Sequence, residues 1–194
     1  MHGLISLLPE PYYTQVELLW DGLEDRFGLS YIRVTPIPHF SWQIGEGYHL
    51  DAILPLLSQF AKDLDPFEVC VRGVEVFPGD LPVVFLKVLC TTQLRAIHLN
   101  LWKLLFPYTV QPNLYYQPED WQPHVTLALN DLTPGALPDV VKWVKQFNID
   151  WRFTCSDLTI AGQFDDETTC LEARFECGRG LVSSGGCDRE LLKP

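Results

Sequence analysis

The feature that most constrains this chain is that it repeats itself. An order of strand, helix, strand, strand occurs twice, first as strand 39–44, helix 48–63 and strands 67–77 and 82–90, then as strand 124–129, helix 134–147 and strands 151–161 and 168–177. Pro38, His39 and Ser41 return 85 positions later as Pro123, His124 and Thr126. The helical stripe Leu50, Ile53, Leu54, Leu57 and Phe60 returns 87 positions later as Leu137, Val140, Val141, Val144 and Phe147. A two-residue change in loop length absorbs the difference between the offsets. The first unit closes with a helix at 92–106. The second lacks one, and the amphipathic helix at 13–27, behind a short strand at 3–8, is the natural substitute if the chain ends meet in one lobe.

The expected fold is therefore α+β. Two antiparallel sheets, each with helices on its outside, are related by a pseudo-twofold axis and flank a central cleft. The expected lobes are 39–106 and 1–35 plus 120–177, forming a single bilobal domain over 1–177. The stretch 107–123, rich in Pro, Gln and aromatic residues, reads as an ordered linker or lid. The Gly- and Ser-rich 178–194 reads as a flexible tail.

Bulk properties exclude several function classes. No apolar run reaches the roughly 18 residues of a membrane span. The opening MHGLISLLPEP lacks a basic region and breaks at Pro9, unlike a secretory signal, so the expected location is the cytoplasm and the expected state a monomer. Cys70, Cys90, Cys155, Cys170 and Cys177 sit in apolar runs and read as reduced core thiols. Neither a C-x-x-C pair nor an H-E-x-x-H helix is present, so no metal and no cofactor is expected. A net charge of −11 argues against wrapping long nucleic acid, since that affinity comes from Lys and Arg. Any phosphate is bound locally, through the reacting group, its sugar and one or two bases.

The chemistry lies in the two repeated tripeptides. Alternation along a strand puts His39 and Ser41 on one face and Phe40 and Trp42 on the other; His124 and Thr126 likewise oppose Val125 and Leu127. Each motif thus offers an imidazole and a hydroxyl side by side. Opening a phosphodiester in line needs a base on the entering oxygen and an acid on the leaving oxygen, and two imidazoles supply both near neutral pH. The hydroxyls of Ser41 and Thr126 would donate to the non-bridging oxygens. Random placement gives on average roughly half an H-x-[S/T] per chain of this composition, so a single copy means nothing. Two copies, each after a Pro, each opening a strand and each in the same place of a repeat, do not arise that way.

The motifs PHFSW and PHVTL, in a duplicated α+β chain, resemble those of the 2H phosphoesterase superfamily, which includes bacterial 2′-5′ RNA ligase and RNA 2′,3′-cyclic phosphodiesterase enzymes. The resemblance implies that His39 and His124 are catalytic and that Ser41 and Thr126 hold the phosphate, with Ser41 standing where Thr is more usual. The signature does not fix the substrate, and the leading expectation is a metal-independent hydrolase of 2′,3′-cyclic phosphates on nucleotides or RNA ends. Cleavage or joining of 2′-5′ linkages, a non-catalytic nucleotide- or RNA-end-binding module, and a metal-dependent hydrolase remain as alternatives. Arg72 and Lys87 interrupt apolar strands and could meet a phosphate beside Phe85, and Tyr115, Tyr116 and Trp121 could stack on a base. His2, His49 and His98 have no motif around them and read as structural.

Overall fold

The structure is a computed structural model and describes residues 1–164 and 168–185. Among them, strands β1 (His2–Leu7), β2 (His39–Tyr48), β5 (Thr109–Pro112), β8 (Asp157–Phe164), β9 (Thr168–Glu176) and β10 (Gly180–Ser184) form one antiparallel sheet, ordered β10-β9-β8-β1-β2-β5. Strands β3 (Phe67–Phe77), β4 (Val83–Val88), β6 (His124–Ala128) and β7 (Asp150–Cys155) form a second, ordered β6-β4-β3-β7. Helices α2 (Leu50–Lys62) and α3 (Thr92–Leu105) pack on the first sheet, while α1 (Tyr12–Phe27) packs on β6 of the second and against α4 (Leu137–Val144). The α+β, two-sheet, bilobal expectation holds, and no described helix is long and apolar enough to cross a membrane.

The lobes differ from those expected in one respect. The helices divide as the sequence suggested, but the strands trade places. The hairpin β3–β4 leaves its own repeat for the sheet that holds β6, and β1, β8 and β9 join the sheet that holds β2. The run 151–161 is not one strand. It breaks at Ser156, with β7 on one sheet and β8 on the other. Continuity of an apolar pattern does not say on which sheet a strand lands; that is decided by which edge the crossover reaches. β3 and β7 pair antiparallel across the two repeats, with Val69 opposite Phe153, a spacing close to that of the motifs. This pairing places the pseudo-twofold axis.

The supposed tail is also partly structure. Gly180–Ser184 pairs with β9, and Gly178 N–H donates to Ala61 O at 2.8 Å while Leu181 N–H donates to Ser58 Oγ at 3.0 Å. Gly180 is required there, since a Cβ would lie 2.7 Å from Ser58 O. Residues 186–194 of the expected tail lie outside the described residues. Cys70, Cys90, Cys155 and Cys177 are free thiols as read, but Cys170 is disulfide-bonded. Apolar surroundings cannot tell which thiols a fold brings together.

The helices follow their stripes. α1 buries Val16, Leu19, Trp20 and Leu23 and ends at Gly28, whose φ of 70° permits the closing bond to Glu24 O at 2.9 Å. Gly22 lets the ring of Trp143 on α4 lie against α1, where a Cβ would come within 2.6 Å of it. The hydroxyl of Thr91 caps α3 by accepting from Leu94 N–H at 3.1 Å.

His98 on α3 is structural, as read. Its ring stacks on Trp121 at 3.8 Å, and its Nε2–H is shared between the carbonyls of Trp42 (3.1 Å) and Tyr116 (3.0 Å). Burial pushes its pKa down to about 4, with the two carbonyls opposing. Between the unfolded value of about 6.5 and that point the unfolded chain takes up a proton that the folded protein refuses. Stability therefore falls as pH is lowered through this window, by on the order of 3 kcal/mol once complete. Asp157, whose buried carboxyl is raised, acts with the opposite sign, so comparison with a variant is needed to isolate His98. Urea unfolding at pH 7 and pH 4.5 should show His98→Gln losing less stability across the interval than the parent chain. Equal losses would contradict the assignment.

Candidate active site

Both motifs line one cavity of about 240 Å³, to which His39, Ser41, His124 and Thr126 all contribute. Phe40 and Trp42 are fully buried behind the first pair, and Val125 and Leu127 behind the second. The two halves are built alike, atom for atom in several places. His39 Nδ1 donates to Ile37 O, and His124 Nδ1 donates to Gln122 O at 2.7 Å. A carbonyl can only accept, so Nδ1 carries the hydrogen in each ring and Nε2 is left as the nitrogen available to a substrate. The intervening Pro38 and Pro123 lend their own carbonyls to the neighbouring strands, accepting from Leu8 N–H at 3.0 Å and Val88 N–H at 3.2 Å.

A β-bulge follows each hydroxyl. Ile5 faces Ser41 but Leu4 faces Gln43, so Trp42 is the extra residue on β2. Phe85 faces Thr126 but Val84 faces Ala128, so Leu127 is the extra residue on β6. A bulge shifts the alternation by one, and Ile44 and Leu129 consequently join the cavity wall three positions beyond each hydroxyl. The carbonyl ahead of each bulge takes an indole N–H: Trp121 Nε1 donates to Ser41 O at 3.0 Å and Trp20 Nε1 to Thr126 O at 3.1 Å.

Burial lowers the His39 imidazole below its ordinary value; the Ile37 carbonyl opposes this and the nearby His124 adds to it. Burial likewise lowers His124, opposed by the Gln122 carbonyl. The Tyr116 hydroxyl shares a hydrogen bond with Ser41 and is pushed up to about 12, mainly by burial, so it stays protonated. Thr126 has no described counterpart of this phenol.

The weaker candidates separate clearly. Tyr116 lines the cavity, whereas Tyr115 is 83% exposed and takes no part in its wall. Trp121 is buried between His98 and Trp42, so it braces Ser41 and has no free face for a base. Phe85 is buried and packs with Phe77 against the His124 ring, each at 5.1 Å between centroids. Arg72 and Lys87 are off the cavity, paired with Asp150 at 3.2 Å and Glu75 at 2.6 Å. The structure adds cavity residues that carried no motif: His2, which meets Glu172 at 3.1 Å, Trp20, Tyr31, Thr35 and Asn130. Trp20 sits in a helical core stripe and His2 at the terminus of the sequence, and neither position marks a residue as functional. Among the described residues no three His, Cys, Asp or Glu side chains gather as a metal site.

The profile of the 2′-5′ RNA ligase superfamily matches residues 17–167, which spans both motifs. The chain belongs to the 2′-5′ RNA ligase superfamily. As a member it is an enzyme acting on phosphodiester bonds. The crystal structure of TT0787 of Thermus thermophilus superposes with a TM-score of 0.60 at 17% identity, covering 92% of this chain and 98% of that one. The structure of Kluyveromyces marxianus Usb1 gives 0.47 at 11% identity, over 88% and 96%. No curated protein sequence matches the chain.

The indole bonds hold the backbone at Ser41 and Thr126, so Trp20 and Trp121 fix where these two hydroxyls sit in the cavity wall. Trp121→Phe keeps a ring but leaves the Ser41 carbonyl unbonded, and should lower kcat/KM about tenfold, near the net worth of one buried hydrogen bond. In a Ser41→Ala background the same change should cost little, because the group being aimed is gone. Fully additive losses would show a general packing effect instead. Trp20→Phe is expected to behave in the same way toward Thr126.

Proposed function

We propose that the protein hydrolyses 2′,3′-cyclic phosphates of nucleotides or RNA ends, with His39 as base, His124 as acid and no metal. The observation that carries this is the matched pair of Nδ1–carbonyl bonds, which leaves Nε2 as the available nitrogen of two imidazoles that line one cavity. Ser41 and Thr126 hold the non-bridging oxygens, with Tyr116 behind Ser41. We place a single shared proton on His124, because His39 is the more deeply enclosed ring and burial is the largest cause of lowering in each, while repulsion between the rings, which is mutual, keeps the pair to one proton. His39 is then free to take a proton from water as the oxygen attacks phosphorus, and His124 gives its proton to the departing ribose oxygen. The cytoplasm is the proposed place of action.

Superfamily membership also favours a second reading, in which the same pair makes or breaks a 2′-5′ linkage. The groups needed are the same, and only the nucleophile changes, from water to a hydroxyl.

A panel of 2′,3′-cyclic mononucleotides, cyclic-phosphate RNA ends and 2′-5′ dinucleotides, run in excess EDTA, separates these readings. Turnover of the cyclic phosphates should persist in EDTA, and loss that zinc or manganese restores would reject the metal-free scheme. His39→Ala and His124→Ala should each lower kcat by roughly 10² to 10⁴, Ser41→Ala and Thr126→Ala by less. Because both imidazoles are lowered, the bell of kcat/KM against pH should have both limbs below their ordinary place and a maximum on the acid side of about 6.5. A maximum at pH 8 would overturn the assignment of either histidine.

A further inference from the structure

Helix α3 is apolar on two faces. Leu94, Ile97, Leu101 and Leu105 are buried beneath it, which satisfies its packing on the first sheet. Arg95, Leu99, Trp102 and Phe106 follow one another at intervals of four, three and four residues, so they form a second stripe on the outer face, about 16 Å long. Leu99 is 36% exposed and Phe106 46%, and Trp102 packs on Phe106 at 5.3 Å between centroids. Lys103 stands exposed beside them. A contiguous apolar surface of this kind, rimmed by polar groups, marks a contact face. It also adjoins the active site. His98, between Arg95 and Trp102 on the helix, bonds the Tyr116 carbonyl at 3.0 Å, and Arg95 acts on that imidazole as a neighbouring positive charge. Tyr116 lines the cavity, and the next residue, Tyr115, is 83% exposed. The chain thus passes from cavity wall to outer face in one step.

Charge decides what this face can receive. From Thr92 to Pro118 the sequence carries Arg95 and Lys103 and not one Asp or Glu, although the whole chain has a net charge of −11. Net charge taken alone points to a phosphate held only locally; its distribution leaves one electropositive face on an acidic protein, and a polyanion is steered to that face and repelled elsewhere. We propose that the outer stripe of α3, together with Tyr115, carries the single RNA strand that leads to the reacting end, with the base next to that end stacked on Tyr115. This rests on the RNA-end reading above and extends it from the end to the strand. Aromatic faces accept any base, so the grip is tolerant of sequence. Arg95 and Lys103 meet backbone phosphates as the strand passes along the helix. At about 3.4 Å per stacked nucleotide the stripe has room for roughly five. A second copy of the protein meeting through the same face would instead bring two electropositive surfaces together.

The test compares a ten-nucleotide oligouridine with a diuridine, each ending in a 2′-deoxynucleoside 3′-phosphate and so unreactive, by fluorescence anisotropy on the full chain at low salt. The longer strand should bind at least about tenfold more tightly. Tyr115→Ala and Arg95→Ala should each remove most of that advantage and leave diuridine binding unchanged, which also shows that the variants are folded. Arg95→Ala should in addition make the log–log salt slope shallower by about 0.7, the share of one phosphate. A long strand bound no more tightly than the dinucleotide, no binding of either, or an advantage that survives both substitutions would overturn the proposal. Self-association in sedimentation that Tyr115→Ala abolishes, without an effect of RNA length, would overturn it in favour of a second copy on this face. A panel in which no cyclic phosphate turns over would reject the hydrolytic reading and leave this binding comparison untouched.

Discussion

The bulge after each hydroxyl is the constraint on which the rest of the site depends. A regular strand would put residues 39, 41 and 43 on the cavity face; inserting Trp42 replaces the third by Ile44 and sends Gln43 into the interior. The same step at Leu127 brings Leu129 to the wall. Each bulge also leaves backbone groups that the ladder does not pair, and these have to be met inside a dry core. Trp121 and Trp20 meet the carbonyls of Ser41 and Thr126, and Tyr48 bonds both Leu4 N–H at 3.2 Å and Gln43 O at 3.1 Å beside the first bulge. Large aromatic residues are therefore concentrated around the site for their donors as much as for their area. The stack His98–Trp121–Trp42 then ties the first motif to α3 and to the loop before β6.

Much of this was legible in the sequence, because a duplication prints the same chemistry twice. The offset of 85 pairs not only the histidines and hydroxyls but also Ile44 with Leu129, although nothing about an isolated Ile or Leu marks it as a wall residue. Helices were readable because their stripes are long, and α1, α2 and α3 fall within two residues of their expected bounds. Sheet membership was not readable. Nothing local in Phe67–Phe77 distinguishes a partner at β2 from one at β7, and the choice is made by a crossover helix that the pattern cannot orient. Short elements were lost for a related reason. β5 has four residues inside a Pro-rich stretch, and β10 follows Gly178, so both look like loop until a neighbouring strand or α2 supplies bonds.

Aromatic residues near a motif proved the least decipherable group. Phe85, Trp121 and Tyr116 lie on or beside the motif strands and looked equivalent, yet one cushions His124, one braces a carbonyl and one reaches the cavity. Which of these a ring does depends on the depth at which its strand or turn sits, and depth is a property of the assembled core. Charged residues misled in the opposite way. Arg72 and Lys87 are conspicuous within apolar runs, but each lies on a face whose next strand or neighbour carries an acid, Asp150 or Glu75, at bonding distance.

A duplicated site begins symmetric, whereas acid–base catalysis of one bond needs direction. The structure contains the asymmetry in two places. Ser41, not Thr126, is joined to a tyrosine hydroxyl that burial keeps protonated, so the two motif hydroxyls differ in the donors behind them. His39 is the more deeply enclosed of the two rings, and burial is the largest cause of lowering in each, so the two imidazoles are not equivalent. Neither difference disturbs the Nδ1 bond that aims each ring, because that bond belongs to the Pro-His dipeptide and to the carbonyl before it. Geometry is thus held by what the two halves have in common. Polarity arises from what each half has gathered since from its own surroundings: a loop with Tyr116 over the first motif, and Phe77 with Phe85 beside the second.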